Sequence, residues 1–166
     1  IDFSGKGSPK VEAYYRKNNK KVKIKIKVGF EVHSEQAAAY FLRFVGFSQD
    51  TMKYYKKIKL YLGEQSLAEF FKMYRRRYSF EMLPRYIVEK YEGPGEHWIV
   101  LKDVLIESHD PNLVRLGPYD FEGWDLLNRR EHRGSMLFYA WLNLMEAVSD
   151  NYKMILKKGG KYPKVI

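Results

Sequence analysis

In the stretch KKVKIKIKVGFEV, residues 20–32, lysine alternates with a β-branched residue without a break from Val22 to Val28. A strand sends successive side chains to opposite faces. Val22, Ile24, Ile26 and Val28 therefore share one face, and Lys23, Lys25 and Lys27 share the other. No helix segregates them, because a helical face needs spacings of three and four. The segment is a half-buried strand with its apolar side on a core. Two further segments have the same dual character. VEAYYRK (11–17) sets Val11, Ala13 and Tyr15 against Glu12, Tyr14 and Arg16, and the following Asn18, Asn19 and Lys20 form a plausible hairpin turn. YYKKIKLYL (54–62) sets Lys56, Ile58, Leu60 and Leu62 against Lys57, Lys59 and Tyr61. One antiparallel sheet with a basic, tyrosine-studded face accommodates all three.

Helical patterns lie between and after the strands. Ser34 is a candidate cap for SEQAAAYFLRFVG, and Gly46 a candidate stop. SLAEFFKMYRRR carries a capping box, Ser66 with Glu69, and Leu67, Phe70, Phe71 and Tyr74 keep helical spacing. FEMLPRYIVEKY (80–91) reads as a further helix with Pro84 in its first turn. SMLFYAWLNLMEAV (135–148) reads as a helix whose most apolar face holds Phe138, Trp141, Leu142 and Met145. The segment 92–125 is punctuated by EGPGE and HDPN, has HWIVLKDVLI as its single strand candidate, and reads as an acidic insertion. These patterns predict one α+β (α/β) domain over 1–150, in the order β-β-α-β and then helices, with a further strand near residue 50. The tail 151–166 follows as a basic, glycine-containing arm carrying Lys157, Lys158, Lys161 and Lys164.

With 166 residues, 45 % of them apolar, the chain is large enough for one real core. Its net charge of +10 is unevenly spread. Residues 1–30 hold nine bases against two acids, and residues 92–125 hold eight acids against two bases. This split predicts a polyanion partner for the basic part and a solvent or basic-protein contact for the acidic part. There is no cysteine, which excludes disulfides and thiolate metal sites. No apolar run approaches the roughly 20 residues that span a bilayer, so no membrane partner is expected. The chain begins at Ile1, which leaves room for a removed targeting segment. None of His33, His97, His109 and His132 has the spacing of a metal pair. ESHD (107–110) sits in a turn-like context and reads as turn polarity rather than an acid–base cluster. GKGSPK is too short to be a phosphate loop. Arg75, Arg76 and Arg77 end a helix, where they complement its negative end or bind phosphate.

The run IDFSGKGSPKVEAYYRKNNKKVKIKIKVGFEVHSEQAAAYFLRFVGF resembles one half of a LAGLIDADG homing endonuclease. In that family a signature helix ends in I-D-x-D/E-G, two long basic strands follow, and then come a helix, another strand pair and an amphipathic helix. Ile1, Asp2 and Gly5 match the end of the signature, whose helix is almost absent here. Phe138 and Trp141 of EHRGSMLFYAWLNLMEAV match the family's late K-x-x-x-F-x-x-W helix. The resemblance covers residues 1–80 and 130–150 and gives 92–125 no counterpart.

The resemblance implies a LAGLIDADG-type half-saddle, a basic antiparallel sheet with helices packed on one face. Lys23, Lys25, Lys27, Lys57 and Lys59, with Tyr14, Arg16 and Tyr61, would lie over phosphates and bases. Lys20, Lys21, Arg75, Arg76, Arg77, Lys157 and Lys158 complete the expected nucleic-acid contacts. Family endonucleases hold a divalent metal with the acid before the signature glycine, and that position is Ser4 here. Asp2 is a weak candidate in its place, alone or with Glu12 in a displaced site. The expectation is therefore a catalytically degenerate RNA-binding protein of an organellar matrix, with RNA favoured over DNA and no cofactor. It would be a mitochondrial ribosomal subunit protein or an intron-splicing factor. The alternative is a metal-dependent DNA homing endonuclease, or half of one, using Mg²⁺.

Overall fold

A computed structural model of the chain describes residues 2–4, 9–46, 50–78, 82–109, 113–118, 130–141, 153–159 and 164–165. The chain divides into two compact units, one of residues 1–39 and 50–109, the other of residues 40–49 and 110–166.

The first unit contains β1 (Asp2–Ser4), β2 (Lys10–Lys17), β3 (Lys20–Val28), most of α1 (Val32–Phe44), β4 (Thr51–Gly63), α2 (Leu67–Arg77), a 3₁₀ turn (Leu83–Tyr86), β5 (Ile87–Gly93) and β6 (Glu96–Ser108). The described strands form one antiparallel sheet in the order β1-β2-β3-β6-β4, with β5 also paired to β6. The expected α+β class, an antiparallel sheet carrying helices, is thus the architecture found.

Several boundaries differ from the sequence expectation. The described part of the acidic stretch before residue 110 is not an insertion apart from the sheet. Its run HWIVLKDVLI forms β6, which β4 flanks along one edge while β3 (on 104–108) and β5 (on 96–101) share the other. A strand buried on both faces is written as a near-continuous apolar run rather than an alternation, and successive residues of β6 on opposite faces, Val104 and Leu105, Val100 and Leu101, are all buried, which is why it lacked the signature of the basic strands. Residues 87–91, expected to be helical, are strand; Pro84 starts only a single 3₁₀ turn, and Phe80 and Glu81 lie outside the described residues. The strand expected near residue 50 is the beginning of β4 itself. Ser34 is inside the first turn of α1, its hydroxyl donating to the Glu31 carbonyl. Gly46, at φ +97°, closes that helix as expected. The β2–β3 turn is Asn18–Asn19, with φ of +48° and +59°, the two-residue left-handed turn that matches strand twist. The capping box of α2 is formed by Ser66 and Glu69 as the sequence implied.

The core lies on one face of this sheet. Val11, Ala13, Ile24, Ile26, Val28, Leu60, Leu62, Ile99, Leu101 and Val104 pack with Phe3 and with Phe70 and Tyr74 of α2. Phe3 stands 5.2 Å from Phe70 and 5.6 Å from Tyr74, ring centroid to ring centroid. Tyr74 buries its ring and accepts hydrogen bonds from the Met82 and Leu83 amides through its hydroxyl, so the polar end is satisfied.

One residue decides which face each lysine row takes. Paired residues of adjacent strands share a face, and the register runs Lys25 to Glu107 to Met52. Strict alternation from there would place Lys23, Lys25 and Lys27 on the same face as Ile58 and Leu60. Yet Val104, Leu101 and Ile99 all enter the one core, and the odd step from 104 to 101 requires one break in alternation. The break is at Asp103, at φ +49°, whose carboxylate accepts a 2.7 Å hydrogen bond from the Tyr54 hydroxyl. An aspartate tolerates this left-handed conformation better than the neighbouring β-branched residues would. It brings Lys57, Lys59 and Tyr61 onto the face of the β3 lysines.

The second unit contains the end of α1, β7 (Leu113–Pro118), α3 (Arg130–Trp141), β8 (Lys153–Lys157) and β9 (Lys164–Val165). Phe41 stacks on Phe138 at 5.2 Å and lies 5.7 Å from Trp141, so these two residues do share a helix face. Leu142 and Met145 of the expected helix lie outside the described residues, as do 119–125 of the acidic segment. In the tail, expected as a basic arm, β8 pairs with β7 and β9, and Ile155 is buried. Lys161 lies outside the described residues.

Candidate nucleic-acid interface

The face opposite the core has three parts. Its middle is closed. Lys27 is 7 % exposed and Glu107 8 %, and Lys27 donates to Glu107 at 2.9 Å and to Glu35 of α1. Lys25 lies 3.4 Å from the other oxygen of Glu107. His33 packs its ring on Tyr54, 4.8 Å between centroids, so the first turns of α1 cover this region. Helices thus lie on both faces of the sheet, α2 on the apolar face and the start of α1 on the lysine face, rather than on one face. Burial opposes charge on Lys27, but Glu107 and Glu35 outweigh it and hold its pKa above the ordinary lysine value. Burial likewise opposes charge on Glu107, and Lys27 and then Lys25 hold its pKa below the ordinary value. Lys25 and Lys27, expected over phosphates, are instead counter-ions of a buried carboxylate. Lys23 remains exposed, with Glu12 at 2.6 Å.

The second part is the β2–β3 tip, which extends past the end of β6. Tyr14 (54 % exposed), Arg16 and Lys21 reach solvent there, and Lys17 and Lys20, next along the strands and so turned to the other face of the tip, are exposed too. The register puts Arg16 opposite Lys21 and Lys17 opposite Lys20. Like charges directly across a strand pair destabilise it. Among the described residues no carboxylate forms an ion pair with any of the four. The Lys21 ammonium sits 4.1 Å from the Tyr14 ring centre.

The third part is the open half of β4, β5 and β6, where Lys57, Lys59 and Tyr61 are exposed as expected. Lys57 has one acid near it, Glu89 at 3.9 Å, and both side chains are more than half exposed. An ion pair of that kind contributes little. From Lys21 to Lys59 along the strands is roughly 35 Å, at about 3.3 Å per residue. The expected continuous basic face is therefore two basic surfaces with a neutralised centre.

The remaining candidates lie apart from these. Arg75, Arg76 and Arg77 are exposed in the last turn of α2, on the core side of the sheet. Lys157 and Lys158 are exposed at the end of β8 in the second unit. Asp2 and Ser4 lie on β1, paired with Glu12 and Lys10, and not at a helix end as the resemblance implied. Ile1 and Gly5 are outside the described residues. The resemblance also implied a strand pair directly after α1, whereas α2 separates β4 from β5 here.

Sequence reasoning missed one cluster. Pairing of Thr51 with Ser108 brings Asp50 beside Glu107 and His109, and their potential ligand atoms lie within 4.8 Å of one another. His109 Nδ1 is 3.0 Å from Asp50. The group fits a divalent ion poorly, because both oxygens of Glu107 already face ammonium groups. The only sequence signal was ESHD, and its acid partner is more than fifty residues away.

No protein-family model, curated protein or solved structure matches this chain.

Proposed function

We propose that this chain is an RNA-binding protein of LAGLIDADG type that has lost catalysis and serves in an organellar ribonucleoprotein, as a ribosomal subunit protein or an intron-splicing factor. The observation that carries the binding is the pair of like-charge rungs at the hairpin tip, Arg16 opposite Lys21 and Lys17 opposite Lys20. Such rungs cost stability in the free protein, and a phosphate backbone removes that cost while releasing its own counter-ions. Tyr14 beside them offers a ring to a base. The choice of RNA and of the organelle rests on the sequence resemblance. The loss of catalysis rests on Ser4 standing where the family places its metal acid.

The test is the salt dependence of RNA binding. Replacing Arg16, Lys20 and Lys21 with glutamine should flatten the slope of log affinity against log salt by about 2 to 3, at about 0.7 to 0.9 for each phosphate no longer neutralised. A folded triple variant with an unchanged slope would overturn the reading.

A further inference from the structure

The open part of the sheet carries an arrangement that phosphate binding does not use. Tyr61 of β4 pairs with Trp98 of β6, and Trp98 pairs with Tyr91 of β5. Three aromatic residues thus form one rung across three adjacent strands, all on the face away from the core. Tyr61 is 56 % exposed and Tyr91 43 %. The Tyr91 and Trp98 rings stack, 5.5 Å between centroids at 17°. Gly93 makes room for this: a Cβ there would meet the Tyr91 phenol. The Lys59 ammonium lies 4.0 Å from the Trp98 ring centre and 5.7 Å from that of Tyr61. Two residues beyond Lys59, Lys57 stands directly opposite Lys102, a third like-charge rung.

We infer that this rung is a stacking platform for an unpaired stretch of RNA, separate from the phosphate-binding hairpin tip. Every base has a π-face and every nucleotide a phosphate. A single strand laid on the rung gives its bases to the rings and its phosphates to Lys57, Lys59 and Lys102. Lys59 exchanges a ring for a phosphate, and the Lys57–Lys102 repulsion is relieved. A duplex cannot do the same, since its bases are already stacked and its edges lie within grooves. Lysines on an edge strand such as β4 also block edge-to-edge pairing of sheets. That role explains the charge but not three aromatic residues in register across three strands beside it.

The inference rests on the RNA-binding reading, and the experiment separates the two. The intact chain is titrated with a short oligouridine and with a short A-form RNA duplex. Tyr61→Ala and Gly93→Ala are compared with the tip variant Arg16→Gln/Lys20→Gln/Lys21→Gln. The platform predicts that Tyr61→Ala weakens oligouridine binding by about 5- to 160-fold, the range for losing one base–aromatic stack, and leaves duplex binding unchanged. Gly93→Ala, which displaces Tyr91 without removing any ring, should act in the same direction. Equal losses on both RNAs, or no loss on oligouridine from either variant, would overturn the platform. Loss of duplex binding in the tip variant reports on the RNA-binding reading alone.

Discussion

Two lysine rows of almost the same sequence pattern meet opposite fates in this fold. On β3, KVKIKIK places Lys25 and Lys27 beneath α1 against a buried carboxylate. On β4, KKIKLYL leaves Lys57 and Lys59 in solvent beside aromatic rings. Alternation assigns each lysine to a face, but the residues that cover the face decide its role. Those on β3 are Glu35, seven residues beyond the strand, and Glu107, which arrives from the far half of the chain. On β4 the neighbours across the sheet are Val100 and Lys102, and both Lys57 and Lys59 are exposed. A basic row is therefore a binding surface only where the tertiary structure supplies it no buried acid, the exposed Glu89 near Lys57 being a weak partner.

The largest effect expected from this contrast is on stability. Lys27→Met leaves Glu107 buried with only Lys25 at 3.4 Å, and removing one partner of a buried pair costs about 3–5 kcal/mol. We expect a loss near the lower end in urea unfolding, whereas Lys59→Met should stay within about 0.5 kcal/mol as a surface change. The pH dependence follows from the signs. Glu107 titrates below its ordinary value, so its contribution is present above the normal carboxylate range and is lost as pH falls through the depressed value. Lys27 titrates above its ordinary value, so its contribution is complete below that value and is lost as pH rises through the raised one. The gap between wild type and Lys27→Met should therefore close in acid, where Glu107 takes up a proton and no longer needs a counter-ion. A gap that stays constant below the carboxylate range would show that Lys27 acts through packing alone.

The next effect concerns Asp103, the joint that makes both rows share a face. Residues held at positive φ store of order 1–3 kcal/mol unless they are Gly, Asn or Asp. Asp103→Val should cost roughly that much, with a further penalty at the Tyr54 hydroxyl, which would be left without its acceptor. Asp103→Asn should be nearly neutral by thermal unfolding. If Val were tolerated as well as Asn, the alternation would not break at this residue.

Much of this was legible in the chain. The Asn18–Asn19 turn, the Ser66 capping box, Gly46 as a helix stop and the alternation of β2 to β4 are local signals, and local physics sets them. What was not legible depends on partners distant in sequence. The run HWIVLKDVLI was recognisable as a strand, but its place at the sheet centre was not, since a strand buried on both faces lacks the polar period that would assign its sides. Residues 87–91 sit behind a proline that starts one turn, and their strand state comes from pairing with β6. The aromatic rung needs the register of three strands before Tyr61, Trp98 and Tyr91 become neighbours at all.

A smaller effect separates the rows in binding. Lys57→Gln/Lys59→Gln should flatten the salt slope for oligouridine by about 1.4 to 1.8, two phosphates at about 0.7 to 0.9 each. Lys25→Gln should leave it unchanged, since that ammonium faces Glu107. Equal slopes for the two variants would mean that the covered row opens when RNA binds.

The smallest expected effect is no effect: incubation with plasmid DNA or structured RNA and Mg²⁺ or Mn²⁺ should leave both intact. The acids that a displaced metal site would need are those that neutralise the β3 row. Glu12 faces Asp2 across the β1–β2 pairing, but its carboxylate lies 2.6 Å from the Lys23 ammonium. Glu107, beside Asp50 and His109, has an ammonium on each oxygen. A divalent ion would have to displace lysines already paired with these carboxylates, and two-metal hydrolysis needs carboxylates converging on ions about 4 Å apart. The two sites predict different genetics. Metal-dependent nicking that disappears in Asp2→Asn would place catalysis at β1–β2 and restore the endonuclease alternative. Nicking lost in Asp50→Asn but not in Asp2→Asn would place it at the end of β6. Either outcome would mean that the acids of the β3 row serve a reaction rather than the lysines beside them.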